Sequence, residues 1–367
     1  MQITAAVVHE CSGPFAIETL NLCDPRGDEL LVEIVASGMC ATDLHGRDGY
    51  YNMPYPAVFG HEGAGIVRAV GGAVSEFKPG DHVLMAYPWC GECPNCRAHL
   101  QAYCMHAGDL KHSGTRADGT RLHEMNGKPV YGAFFQQSSF ANYTIANERF
   151  AVKLRKDAPL DVVCALACGG QTGAGAVLNV MQPRQGDSFA VFGVGTVGLS
   201  GLMAAKIAGC DPIIAVDIHD SRLKLARELG ATHTINHSGR GEIVSDIRKL
   251  AGHGVRYSLE TSAHPIVLRE AIEALMPAGT CILLGSARKG IETSFETPFL
   301  QNGRTVRGVI QGDSVPKNFI PALTDHLMAG RFPIERLITN YELADINRAA
   351  ADSASGKAIK PVIRMPH

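Results

Sequence analysis

Long apolar runs, a surplus of either charge and an export signal are all missing from this 367-residue chain. Its 34 Lys and Arg nearly offset 36 Asp and Glu, leaving a formal net charge of −2, so no bulk attraction to nucleic acid or an anionic membrane is expected. The most apolar stretch, 189–209, is broken by glycines, Ser200 and Lys206, which argues against a transmembrane helix. The opening Met1-Gln2-Ile3-Thr4 has no basic n-region and no apolar h-region, so a signal peptide is not expected. Aromatic residues are few, at 6%, and the single tryptophan, Trp89, reads as packing. Cysteine is the exception. Eleven cysteines without an export signal favour reduced thiols and metal ligands over disulfides, and a cytoplasmic setting. Hydrophobic residues at 46% against 19% charged give a large core, and the length predicts two domains.

The first 150 residues read as β-rich. Short β-branched runs at 30–36 and 64–70 are separated by the turn signals Gly71-Gly72 and Lys78-Pro79-Gly80-Asp81, which suggests a barrel-like domain. From about Asp187 the rhythm changes to alternating strand and helix. Strands are predicted at 188–192, 213–216, 257–260 and 280–284, and helices at 196–208 and 221–229, stopped by Gly209 and Gly230. That alternation predicts a parallel sheet. A β-like segment at 305–310, a helix near 319–329 and a last strand at 360–364 complete the chain. The stretch 108–129 has little periodicity and reads as an unusually long loop bordering the active site.

Gly193-Val194-Gly195-Thr196-Val197-Gly198 follows an apolar strand and opens a helix. Gly193 permits the tight turn, Gly195 a close approach of a pyrophosphate, and Gly198 close packing of helix on strand. The helix N-terminus at Thr196 and Val197 then offers free N–H groups to phosphate. Asp217 ends the next strand, 19 residues past Gly198, where a carboxylate can accept both ribose hydroxyls and repel a 2′-phosphate. NAD is therefore favoured over NADP. Arg222 is a nearby cation, read equally as a ribose contact or an exposed helix residue.

Cys90, Cys93, Cys96 and Cys104 form two C-x-x-C steps and a fourth thiol eight residues on, a closed tetrahedral zinc set with no open position. Cys40, His61 and Cys168 stand apart from that lobe, each ambiguous alone, and could hold a second metal. The other cysteines, Cys11, Cys23, Cys164, Cys210 and Cys281, read as packing residues.

Three blocks carry a family resemblance: Gly38-Met39-Cys40-Ala41-Thr42-Asp43-Leu44-His45, Gly60-His61-Glu62-Gly63-Ala64-Gly65 and Leu166-Ala167-Cys168-Gly169-Gly170-Gln171-Thr172. With the four-cysteine lobe, the chain resembles the zinc-dependent alcohol dehydrogenases of the medium-chain family over its full length. The run Phe134-Phe135-Gln136-Gln137-Ser138-Ser139-Phe140-Ala141 resembles the aryl-alcohol and geraniol dehydrogenase branch.

The resemblance implies a GroES-like β-rich catalytic domain at 1–169 with the structural lobe at 88–106, a Rossmann domain at 170–305, and a return to the catalytic domain at 306–367. It implies two zinc ions per chain, NAD, a small alcohol or aldehyde substrate in a cleft between domains, and a homodimer or homotetramer. Cys40, His61 and Cys168 resemble the catalytic zinc ligands, and Glu62 the nearby carboxylate that assists ligand exchange. Asp43 resembles the partner that orients the histidine. Thr42 and His45 resemble a proton relay, and Thr172 a residue beside the nicotinamide. Ala41 replaces a basic residue common after the cysteine ligand, and His45 is the general relay residue, which keeps a broader or secondary alcohol specificity as the alternative. A metal-free reductase of the same fold, or a nucleotide-binding protein with an idle site, would not need all three ligands with the relay.

Overall fold

The strand Glu29–Gly38 (β1) is hydrogen-bonded to three neighbours, and its register decides where the chemistry goes. Its partners are Gly63–Val70 (β2), Tyr143–Asn147 (β3) and Lys360–Arg364 (β4). The computed structural model of the protein describes residues 1–238 and 242–366. They form two units, Met1–Cys168 with Val315–Met328 and Ile334–His367, and Gly169–Ser314 with Ala329–Pro333.

In the first unit β1 belongs to a seven-stranded sheet that also contains Ala151–Leu154, His82–Met85 and Ile338–Glu342. A five-stranded sheet is built on Gln2–Val8 and Phe15–Leu22. Apolar side chains from both sheets, such as Ile3, Leu20, Leu30 and Ile34, make one core with Phe59 and Phe140 from the connections. The stretch 108–129 is not an irregular loop. It supplies a helix, Ala107–His112, and a hairpin, His123–Met125 with Lys128–Val130. Asn126 and Gly127 turn that hairpin with φ of 52° and 75°. Asn-Gly is the residue pair a two-residue hairpin of this twist demands, a signal the surrounding polar residues mask.

The second unit is a six-stranded, all-parallel sheet in the spatial order His233–Asn236, Ile213–Asp217, Phe189–Phe192, Val255–Glu260, Leu275–Leu283, Thr305–Gly308. Numbered along the chain this is 3-2-1-4-5-6, the order of doubly wound dinucleotide folds. The central strands Phe189–Phe192 and Ile213–Asp217 are buried on both faces and therefore read as continuous apolar runs. Residues 306–314, expected in the returning part of the first domain, lie in this unit, because Thr305–Gly308 pairs along Thr280–Leu283 as its edge strand. No single helix among the described residues is long and apolar enough to cross a membrane.

Helices Gly169–Gly175 and Thr196–Ile207 of this unit approach closely because glycine faces glycine. A Cβ on Gly173 would lie 2.0 Å from the Val197 carbonyl and 2.8 Å from the Gly201 nitrogen. Both atoms are backbone and cannot step aside. Gly173→Ala is expected to cost about 1–3 kcal/mol through overpacking, and urea unfolding checks it. An unchanged midpoint and slope would show that the helices separate without cost.

Candidate metal centres and coenzyme site

Ser37 pairs with Gly63, so the residues that leave β1 run antiparallel to those that enter β2. Cys40 and His61 are thereby brought together from 21 positions apart in sequence. The Gly38 N–H donates to the Glu62 carbonyl at 3.1 Å, closing the gap. Cys168 arrives from the short helical segments after Leu160. One donor atom each from Cys40, His61, Glu62 and Cys168 lies within 4.8 Å of the others.

Asp43 fixes this group. One carboxylate oxygen accepts from His61 Nδ1 at 2.9 Å and from the Gly60 N–H at 3.1 Å, and the other accepts from the Cys40 N–H at 2.9 Å. Asp43 itself is fully buried at the start of helix Ala41–Arg47. Burial works against a charged His61, but Asp43 outweighs it and raises the ring's pKa to about 10. Its Nδ1 proton is thus committed, and Nε2 is buried with no hydrogen-bond partner. The Cys40 thiol is held well below its ordinary range by the Cys168 thiol beside it. An orphaned imidazole nitrogen facing two thiols is the soft N/S set that zinc takes in three-ligand sites. The residues present fit that metal.

Glu62 is buried too, and burial pushes its pKa to about 7. Lys360, the first residue of β4 and almost fully buried, forms an ion pair with it. A Cβ on Gly38 would strike the Glu62 carboxylate at 2.1 Å, so only glycine leaves room for this pair. Sequence reasoning missed Lys360. A lysine opening the apolar run Pro361-Val362-Ile363 was the available signal. Gln137 was also unassigned. Its amide accepts from the Gly63 N–H at 3.1 Å and donates to the His61 carbonyl at 3.0 Å, bracing the ligand-bearing turn.

Thr42 Oγ1 lies 3.7 Å from the Cys40 sulfur, which donates to it. His45 is not hydrogen-bonded to Thr42 here. Its ring stacks on Tyr50 at 4.3 Å, with 10° between planes. Tyr51 lies against Thr42 and the Cys40 side, and burial first, then the Cys40 charge, pushes its hydroxyl to about 12. Phe135 flanks His61 at 4.6 Å, and His112 follows at 5.7 Å from Phe135 and 3.9 Å from Tyr51.

The second donor set is Cys90, Cys93, Cys96 and Cys104, also within 4.8 Å of one another. Backbone N–H groups of Cys93 and Cys90 point at the Cys90 and Cys104 sulfurs at 3.3 Å. The Met105 N–H lowers Cys93 to about 6, whereas burial raises Cys96 to about 12. Gly91, at φ 84°, makes the knuckle turn. Trp89 packs on the lobe and against Phe150 at 5.3 Å. Four sulfurs leave no open coordination position, so this set fits a structural ion.

In the second unit Gly193 has φ 88°. A Cβ on Gly198 would lie 1.9 Å from the Gly193 carbonyl, while Gly195 faces open space. Thr196 and Val197 form the first turn of helix Thr196–Ile207. Asp217 is 7% exposed, and its two oxygens accept from the Val194 N–H at 2.8 Å and the His219 N–H at 2.9 Å. The carboxylate therefore also pins the glycine turn. Arg222 is half-buried on helix Asp220–Leu229. Thr172 donates to Gln311 at 3.4 Å.

A β-rich unit with an N/S donor set, on one chain with a dinucleotide-type sheet, defines the metal-dependent dehydrogenase class. Residues 26–156 match the alcohol dehydrogenase GroES-like domain, and residues 196–327 match the zinc-binding dehydrogenase family. The chain is 40% identical over 361 residues to a geraniol dehydrogenase of Castellaniella defragrans, covering 98% of this chain and 96% of that protein. Benzyl alcohol dehydrogenase from Acinetobacter calcoaceticus superposes with a TM-score of 0.96 at 40% identity, with both chains fully covered. An alcohol dehydrogenase zinc-binding domain protein from Burkholderia ambifaria does so with 0.98 at 48% identity, again over the whole of both chains. The chain belongs to the zinc-dependent alcohol dehydrogenases of the medium-chain family, and it is an enzyme.

Lys360→Met is expected to cost about 3–5 kcal/mol, because it leaves the buried Glu62 carboxylate without its cation. Removing both charges in Glu62→Gln with Lys360→Met should recover most of the loss. Denaturant unfolding of the two variants checks this, and a single variant as stable as the wild type would show that the pair carries no weight.

Proposed function

We propose that the enzyme reversibly oxidises a primary alcohol to the aldehyde with NAD, and that the alcohol carries an aromatic or allylic group next to the carbinol carbon. The observation that carries the reading is the aromatic wall of Phe135, His112 and Tyr51 running from the His61 ligand. A flat apolar group beside the carbinol fits such a wall, and a benzylic or allylic alcohol yields a conjugated aldehyde, so its oxidation is less uphill. The names of the geraniol and benzyl alcohol dehydrogenase relatives lean the same way.

Cys40, His61 and Cys168 would hold the catalytic zinc, which when bound supplies a Lewis acid for the substrate oxygen. Asp43 accepts from Nδ1 and keeps the His61 ring turned, so that Nε2 is the nitrogen presented to the donor set. Thr42 stands beside Cys40, where its hydroxyl can take the substrate's proton. His45, half-buried on the same helix, would pass it outward to water. Glu62, tethered by Lys360, stands by the donor set as the carboxylate that assists ligand exchange. The aromatic wall excludes water and orients the ring. Gly193, Gly195, Thr196, Val197 and Gly198 would receive the pyrophosphate, Asp217 the adenine-side ribose, Thr172 the nicotinamide end, with Arg222 near the ribose. The eleven cysteines are thiols rather than halves of disulfides, which supports a reducing, cytoplasmic setting. The outer strand Thr305–Gly308 and exposed Ile291, Leu300 and Ile310 support assembly as a homodimer or homotetramer.

Coenzyme choice is tested at Asp217. Asp217→Asn keeps an acceptor for Val194 but removes the charge that repels a 2′-phosphate, so the ratio of NAD to NADP kcat/KM should fall while the melting temperature holds. A ratio equal to the wild type would remove Asp217 from coenzyme choice.

Substrate class is tested with benzyl alcohol, cinnamyl alcohol, geraniol, hexanol, ethanol and 2-butanol, alongside zinc analysis of the purified chain. Two zinc ions per chain are expected. The flat alcohols should exceed ethanol in kcat/KM by more than about 10-fold, since each buried methylene is worth about 0.8 kcal/mol. Preference for ethanol or 2-butanol would sink the substrate assignment.

A further inference from the structure

Helix Ala107–His112 brings two side chains to the aromatic wall. His112 is one of the wall's rings, kept uncharged because burial, then Lys111 and His61, lower its pKa to about 4. Lys111 is the other. Its ammonium sits 5.5 Å from the Phe135 ring centroid and 6.0 Å from that of Tyr87. Lys111 is half-buried, and no carboxylate or hydrogen-bond acceptor pairs with it among the described residues. Burial pushes its pKa down, opposed chiefly by the Cys168 side of the donor set.

An ammonium taken partly out of water with only ring faces for company is poorly compensated. Its place in the wall gives it a use. Phe135 touches both partners: its ring centroid lies 4.6 Å from that of His61 and 5.5 Å from the Lys111 ammonium. A substrate ring held beside these groups with its carbinol carbon toward His61 would have its other ring positions within reach of the ammonium. Lys111 offers a compact positive charge with rotatable N–H donors, which suits an ionised oxygen group. A carboxylate is ionised at neutral pH and a phenol is not.

We propose that Lys111 is a specificity-determining residue whose ammonium receives a carboxylate on the substrate ring, so that carboxyl-bearing aromatic alcohols are substrates of this enzyme. The proposal rests on the aromatic-alcohol reading above and narrows it.

The test compares kcat/KM for benzyl alcohol and for 3- and 4-carboxybenzyl alcohol with NAD, in the wild type, Lys111→Met and Lys111→Arg. The wild type should use at least one carboxybenzyl alcohol as well as benzyl alcohol or better. Lys111→Met should lower the carboxybenzyl-to-benzyl ratio by about 10- to 100-fold, the range of a charge-assisted contact, mostly through KM. Lys111→Arg should restore most of that ratio. In the wild type alone, added salt should lower the carboxybenzyl value more than the benzyl value. A ratio indifferent to salt, or one that Lys111→Met leaves unchanged because both substrates lose equally, overturns the proposal. Turnover of hexanol with none of benzyl or carboxybenzyl alcohol would instead overturn the aromatic reading on which it stands.

Discussion

The antiparallel register of Glu29–Gly38 against Gly63–Val70 is the constraint on which the catalytic half of the molecule depends. Because Ser37 faces Gly63, the chain leaving one strand and the chain entering the other meet, and two residues beyond the strand ends stand Cys40 and His61. A slip of one residue would turn every side chain of the strand to its opposite face. The same slip would part the two donors. On its other edge the strand takes Val362 opposite Gly38, and that pairing brings Lys360 from the far end of the chain to Glu62. One strand therefore assembles ligand, carboxylate and cation from three distant segments.

The groups so assembled are charged and buried, which is unfavourable unless each has a partner. Asp43 serves His61, Gly60 and Cys40 at once, and Lys360 serves Glu62. Amid these pairings His61 Nε2 is buried with no hydrogen-bond partner, and it is the nitrogen that a metal would use. Gly38 and Gly60 permit the crowding: a Cβ on Gly60 would lie 2.5 Å from the Phe140 nitrogen, and its φ of 94° suits only glycine.

The aromatic wall is drawn from a different part of the unit. Phe134 and Phe135 come from the run before Tyr143–Asn147, Tyr51 from the turn after helix Ala41–Arg47, and His112 and Lys111 from Ala107–His112. The rings lean on one another at 3.9 to 6.0 Å, and Phe134 and Phe135 both lean on His61, at 5.8 and 4.6 Å. The wall is thus continuous with the candidate metal site, and Lys111 stands over one of its rings. The two are coupled by aromatic contact rather than by the strand register.

Much of the chemistry was written locally. The four-cysteine lobe, the glycine turn with Asp217, and the blocks around Cys40, His61 and Cys168 are legible because metal thiolates and tight turns impose fixed residue types at short spacing. Strands such as Ile213–Asp217 were legible because burial on both faces makes them uniformly apolar. Short, half-polar pieces were not. The hairpin at His123–Met125 and the helix Ala107–His112 have too few residues to show a period, and Thr305–Gly308 reads the same in either unit until its partner strand is known. Lys360 lies 298 residues from Glu62, and no local rule relates them. The sequence by itself determined the donor atoms, the nucleotide turn and the class of enzyme. Only the tertiary structure decided which cation steadies Glu62, which rings line the wall and where Lys111 points, because those are contacts between segments that meet only when the sheet registers are set.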